Sequence, residues 1–242
     1  MTATRKEIQK ARMWRYFLDA AVEVIEEEGI DHVTIRKIAD KAGYTSSTAY
    51  NYFKDLSRLK FFAAMRFTRG YLEDLPRYME KGTNTIEKWL YTWECFCKHS
   101  FEQPEIYSLI FIEHLETIPE ELLDYYYSIY PKELSGLPEN IQSIVMEHTF
   151  SKRSALYIRE AVGEGFVAEE DVDFISDATL LIWKGMMATV MNQQDSYSAE
   201  EATAKTLYYI YESVLRTVQP EKREEIHFSP EINKERGGDL GI

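Results

Sequence analysis

Between Thr45 and Lys54 the chain places Thr45, Ser46, Ser47, Thr48, Tyr50, Asn51 and Tyr52, with no acidic residue among them. These are short or planar hydrogen-bonding side chains, the types that reach phosphate oxygens and base edges of a duplex. Ala49 and Phe53 interrupt the polar run at positions able to face inward, and Gly43 stands just before it. The run therefore reads as a short helix after a glycine turn, the second member of a helix-turn-helix, whose place is the DNA major groove. Arg36 and Lys37, at the start of the first member, and the basic arm Arg5, Lys6, Lys10, Arg12 and Arg15 can flank it and grip backbone. Spacing alone leaves a plain helical corner open as the alternative.

The other constellations are chemically incomplete. A di-iron centre in a helical bundle needs two inward Glu-x-x-His pairs, and only Glu224 to His227 has that spacing. Cys95, Cys97 and His99 recur every second residue, which on a helix sends them to different faces. Gly163-x-Gly165-x-x-Ala168 mimics a dinucleotide fingerprint, but no strand precedes it and Glu169, Glu170 and Asp171 follow, which would repel a pyrophosphate. No P-loop, zinc-protease motif or nucleophile triad is present. The expectation is a protein that is not an enzyme, with no cofactor and no metal.

The elements that must position the polar run are helices. Up to the first proline, Pro76, apolar residues recur at helical spacing. Trp14, Phe17, Leu18, Ala21, Val24 and Ile25 make one stripe over 9–28, closed by Gly29. Thr34 caps a second helix ending at Gly43, Thr45 or Ser46 caps the third, and Asp55 caps a fourth carrying Leu59, Phe62, Ala63, Phe67 and Leu72. Further helices are expected near 85–102, 104–116, 119–130, 139–163, 171–193 and 199–218. Residues 219–242 contain Gly237, Gly238 and alternating charges and read as a loosely attached polar tail.

Composition agrees with this plan. The net charge is −13, yet residues 1–60 hold 11 Lys and Arg against 9 Asp and Glu, and the remainder 17 against 32. A basic head sits on an acidic body, and a basic face binds phosphate whatever the whole-chain charge. Two cysteines two positions apart make no disulfide framework, no apolar leader follows the basic start, and no uninterrupted apolar run approaches the ~18 residues of a membrane span. A cytoplasmic protein without membrane contact is expected.

The run from Ala20 to Leu59, AAVEVIEEEGIDHVTIRKIADKAGYTSSTAYNYFKDLSRL, resembles the DNA-binding domain of the TetR family of bacterial transcriptional regulators. The matching features are Ala21, Gly29, Thr34, Ile35, the Ile38-Ala39 and Ala42-Gly43 pairs, and Thr48 followed by Tyr50, Tyr52 and Phe53. The resemblance implies an all-α chain: a three-helix helix-turn-helix domain over 1–54, a helical effector-binding and dimerisation bundle over 55–218, and the tail. It makes Arg36 a phosphate or base contact, turns Thr45 to Thr48 to the groove and places Tyr50 on the family's phosphate-contacting tyrosine, with Asn51, Tyr52 and Lys54 beside it. One position departs: Leu56 stands where the family usually places a phosphate-gripping lysine, and Lys54 or Arg58 would have to compensate.

The body is rich in aromatic residues and methionine. Such stripes usually form core, but as a set they also line apolar effector cavities. The candidates are Trp93, Phe96, Tyr107, Phe111, Tyr157, Trp183 and Met187, with His114 and His148 as polar contacts. For a homodimer interface, Ala178, Ile182, Gly185 and Thr189 form a small-residue stripe on one helix, and Leu207, Ile210, Tyr211 and Val214 a matching stripe on the next. The expected function is a repressor that binds a palindromic double-stranded operator as a homodimer and is released by an apolar or amphipathic small molecule. The alternative is a cytosolic helical small-molecule-binding or enzymatic protein whose helix-turn-helix is only structural.

Overall fold

The computed structural model describes residues 4–53, 55–113, 120–147, 149–192 and 197–230. Among them there are helices and no strand, in agreement with the all-α expectation. The first helix, α1 (Arg5–Glu28), begins a turn before the apolar stripe because Thr4 and Glu7 form a reciprocal capping box. Trp14, Phe17, Leu18, Ala21, Val24 and Ile25 are buried as the stripe requires, and Gly29 ends the helix at φ 83°. Thr34 caps α2 (Ile35–Ala42), accepting from the Lys37 amide, and Gly43 closes it in the left-handed conformation at φ 75°, which L side chains rarely adopt. Thr45 caps α3 (Ser46–Tyr52) and Asp55 caps α4 (Leu56–Phe67).

The expected fourth helix is in fact two. It breaks at Thr68, whose hydroxyl donates to the Met65 carbonyl, and resumes as α5 (Arg69–Met79). Local hydroxyl-to-backbone bonding of this kind competes with the helical ladder, and apolar periodicity does not register it. Next come α6 (Thr85–Glu102), α7 (Pro104–Ser108) continuing as a π-turn over Leu109–Glu113, and α8 (Glu120–Ile129). The single helix expected over 139–163 is three pieces, α9 (Glu139–Met146), α10 (Phe150–Ile158) and α11 (Glu160–Gly163). Finally α12 (Val172–Met191) and α13 (Ala199–Thr217) pack against each other.

The aromatic-rich α6 is the hub of the body, packed between α5 and α13, with α12 against α13 and α10 against α12. At the other end α4 packs on α1, where Phe62 meets Trp14 edge to face at 4.7 Å. Gly82 is required where it stands: a Cβ there would lie 2.5 Å from the Lys88 amide nitrogen.

Two further expectations need correction. The reading of 219–242 as loosely attached does not hold for its described part, 219–230. Ile226 and Phe228 are buried, the Gln219 amide donates to the Phe166 carbonyl at 2.8 Å, and the His227 amide donates to Glu87 Oε1 at 2.6 Å. Two apolar side chains among charges are a weak periodic signal but enough to seat a strap over α6. Nor do Leu207, Ile210 and Val214 face outward: α13 turns all three into the protomer core. A stripe in sequence shows that a face is apolar, not which neighbour covers it.

Candidate nucleic-acid interface and effector cavity

Ile35 and Ile38 of α2, Ala49 of α3 and the following Phe53 bury together with Phe17 and Trp14 of α1; Phe53 lies 4.3 Å from the Trp14 ring. This core fixes α3 by its apolar side and leaves its polar side in solvent. Thr45, Ser47, Tyr50 and Asn51 are exposed, Tyr50 at 55% of its surface, while Ser46, Thr48 and Tyr52 are half-buried. The Thr45 hydroxyl lies 2.9 Å from that of Ser47 and 3.0 Å from that of Thr48, so the start of α3 presents a preformed hydroxyl cluster. No side chain of α3 carries charge.

The flanking cations divide into free and committed. Arg36 is largely exposed, and its contact with Asp40 at 3.8 Å is a solvent-facing pair worth little. Lys37 is committed to the Glu28 carboxylate and the His32 carbonyl, and Lys41 to Glu27 and Glu23. Leu56 opens α4 half-buried against the core. Lys54 lies outside the described residues. Sequence reading missed Tyr44, which is 40% exposed on the rim beside Gly43, with its ring 5.5 Å from Phe17; a tyrosine straight after a left-handed glycine was the available signal.

Besides the packing of α4 on α1, the N-terminal helices meet the body at a joint with α8. Arg15 Nη2 donates to the Ile129 carbonyl at the end of α8, at 2.8 Å, and the Trp14 ring stands edge-on to Tyr125 of α8 at 4.5 Å. Behind it Arg66 pairs with the buried Glu133, which also accepts from the Tyr126 hydroxyl at 2.8 Å. Burial raises the Glu133 carboxyl above its usual range, although the Tyr126 hydroxyl and the Arg66 charge both oppose the shift.

In the body a cavity of about 100 Å³ opens between α5, α6, α9 and α10. Of the expected ligand contacts, Trp93, Phe96, Phe111 and Tyr157 line it. Tyr107, Trp183 and Met187 do not. All three are buried one layer behind, where Tyr107 and Trp183 support the Phe96 ring at 5.7 and 5.1 Å and the Trp183 indole donates to Ser100 at 3.0 Å. They belong to the core because α6 and α12 press them together. His114 and His148 lie outside the described residues. The remaining wall, including Tyr71, Leu75, Met79, Trp89, Tyr127, Ile141 and Arg153, was not read from the sequence. Tyr127 sits on α8, two residues before the Ile129 carbonyl that Arg15 holds, so one short helix touches both the cavity and the joint.

Cys95 and Cys97 are buried free thiols, both pushed up by burial, and among the described residues no group of His, Cys, Asp or Glu is set to hold a metal. On α12, Phe174 and Leu181 are 57% and 67% exposed. Gly185 is open, and Ala178, Ile182 and Thr189 are half-buried beside them; on α13 Tyr208 and Tyr209 are exposed and Tyr211 is half-buried.

Comparison with known proteins gives the frame. Residues 17–65 match the family model of bacterial regulatory proteins of the tetR family. No curated protein matches the sequence. Among solved structures, FadR of Thermus thermophilus, a TetR-family repressor in complex with lauroyl-CoA, is 12% identical and superimposes with a TM-score of 0.54 over 90% of this chain and 97% of that one. The fatty acid degradation regulator FadR of Bacillus halodurans is 16% identical, with a TM-score of 0.51 over 88% and 97%. SmeT, repressor of the multidrug efflux pump SmeDEF of Stenotrophomonas maltophilia, is 17% identical, with a TM-score of 0.51 over 90% and 93%. At these identities the likeness establishes the fold.

Proposed function

We propose that this chain, whose N-terminal domain is that of a TetR-family transcriptional regulator, is a repressor that grips an inverted-repeat operator as a homodimer and lets go when a small molecule fills the cavity in its body. The observation that carries the reading is the face of α3: uncharged, hydroxyl-rich and solvent-facing on a fully buried core, with exposed Arg36 beside it. Hydroxyls, the Asn51 amide and the Tyr50 phenol suit base edges and phosphates, and Arg36 supplies the cation. Lys37, spent on Glu28, is left out of the set.

For the dimer, the exposed stripe Phe174, Leu181 and Gly185 of α12, flanked by Ala178, Ile182 and Thr189, pairs with Tyr208, Tyr209 and Tyr211 of α13. Its close-set small residues allow a partner helix to approach. For release, the effector presses on Tyr127, α8 moves, and the Arg15 and Trp14 contacts shift the orientation of α3. Such coupling exists only to the extent that ligand binds the two orientations with different affinity. The aromatic and methionine lining suits an apolar or amphipathic ligand; lauroyl-CoA, bound by the similar Thermus protein, is one example of that class.

The test is anisotropy of a labelled inverted-repeat duplex taken from the neighbouring promoter regions, titrated with the full chain at rising salt. Affinity that falls linearly in log–log terms, with two chains per duplex, supports the reading. Indifference to every such duplex at all salts favours the helical binding protein with a structural helix-turn-helix.

A further inference from the structure

One helix brings a cation and two fully buried hydroxyls without partners to the cavity. Arg153, Ser154 and Tyr157 of α10 all line it. Arg153 donates from Nε to the Glu147 carbonyl, and among the described residues no carboxylate lies within 4 Å of its guanidinium, the Glu147 carboxylate acting on it only from farther off. The Glu147 carboxylate accepts from the Thr149 amide at 2.9 Å. Tyr157 is 6% exposed and its hydroxyl has no partner; neither has the buried Ser154 Oγ. The opposite wall is aromatic, with Tyr71 of α5, Trp93 and Phe96 of α6, and Phe111.

A guanidinium and two hydroxyls facing an apolar space carry an unmet desolvation cost. Burial indeed holds Arg153 below its usual basicity. One kind of group meets all three deficits. A carboxylate accepts two parallel bonds from the planar fork of arginine and keeps lone pairs for two hydroxyl donors. An alcohol or amine gives the guanidinium no direct ionic partner, leaving only the more distant Glu147 carboxylate, and a phosphate dianion brings one charge more than the single arginine neutralises in an apolar enclosure.

We infer that the effector is an amphipathic organic carboxylate, its acid group held by Arg153, Ser154 and Tyr157 and its aromatic or alkyl body laid against the aromatic wall of α5 and α6. The inference rests on the cavity being the effector site. The about 100 Å³ of free space admits a handful of water-sized groups, which suits a single ring or a medium-length chain.

The experiment measures binding of phenylacetate and octanoate against their neutral counterparts, phenethyl alcohol and octanol, to the full chain, by calorimetry and by quenching of tryptophan fluorescence. Trp89 and Trp93 in the cavity wall report occupancy. The acids should bind at least about tenfold tighter than the alcohols, as a charge-assisted bond implies. Arg153→Gln should weaken the acids about 10- to 100-fold and leave the alcohols within about twofold, erasing the preference. Arg153→Lys should restore part of it, and Tyr157→Phe should weaken the acids several-fold. Equal binding of acid and alcohol to the unaltered protein, or an acid preference that survives Arg153→Gln, overturns the carboxylate while leaving the cavity reading intact. Binding of neither class overturns both. If Arg153→Gln melts early, the acid-to-alcohol ratio of the unaltered protein and of Tyr157→Phe decides.

Discussion

Replacing Leu56 with lysine sets two measurable quantities against each other. Leu56 is the first residue of α4, straight after the N-cap Asp55, whose Oδ1 accepts from the Arg58 amide at 2.8 Å. It is half-buried. Full burial of a leucine side chain is worth about 1.5–3 kcal/mol, so roughly half of that is at stake, and the methylenes of lysine recover part by lying over the same surface. A cation in the first helical turn costs a further ~0.3–1 kcal/mol against the helix dipole. The net loss of about 1–2 kcal/mol lowers the melting temperature by about 2–8 °C for a chain of this size. On DNA, the same lysine adds one phosphate contact and steepens the log–log salt dependence by about 0.9, equally for specific and random duplexes. Circular-dichroism melting and salt-stepped anisotropy on one preparation read both quantities. A fall beyond about 10 °C with an unchanged salt slope would refute the reasoning and show Leu56 to be a buried plug between α1 and α4.

Further outcomes follow from the joint, the strap and the outer face of the body. Arg15→Met keeps the apolar stem but loses the bond to the Ile129 carbonyl; effector should still bind while its effect on DNA affinity shrinks about three- to tenfold, within the usual range of coupling energies. Burial opposes ionisation of Glu87, but the Thr83 and His227 amides and the Thr83 hydroxyl outweigh it and hold the carboxyl below its usual range. Its contribution is therefore present above pH ~4.3 and lost as pH falls through the lowered value, so the stability gap between the unaltered protein and Glu87→Gln, measured in urea, should be widest near neutrality and close in acid. A Cβ added at the exposed Gly185 meets no atom within 4 Å inside the protomer, so Gly185→Arg should melt normally yet sediment as a monomer and bind operator much more weakly.

Legibility in the sequence followed the range of the interactions. The ends of α1, α2 and α3 were readable because Gly29, Thr34, Gly43 and Thr45 act on their own neighbours. The start of α1 was read late because its capping residues, Thr4 and Glu7, precede the apolar stripe. The break at Thr68 and the division of 139–163 were not legible, since Gly70, the nearest breaker to Thr68, lies inside the helix that resumes, and no glycine or proline stands between Glu139 and Arg159. The cavity was half visible. Trp93, Phe96, Phe111 and Tyr157 announce themselves as aromatics, but Tyr107 and Trp183 announce themselves equally and sit one layer behind. Arg153, in the run Ser-Lys-Arg-Ser, has the composition of a solvated helix face; only tertiary packing turns it toward the rings. The same limit applies to Leu207, Ile210 and Val214, whose stripe is covered by the chain itself.

The most direct test of the central claim, that α3 reads an operator, is selection of duplexes from a random pool by the full chain at physiological salt, with a Tyr50→Phe, Asn51→Ala double variant in parallel. The account predicts that the unaltered protein enriches an inverted repeat with half-sites about one helical turn or more apart. The double variant should retain weak, salt-sensitive binding but enrich no sequence. Enrichment of no repeat by the unaltered protein, or of the same repeat by both, would contradict it.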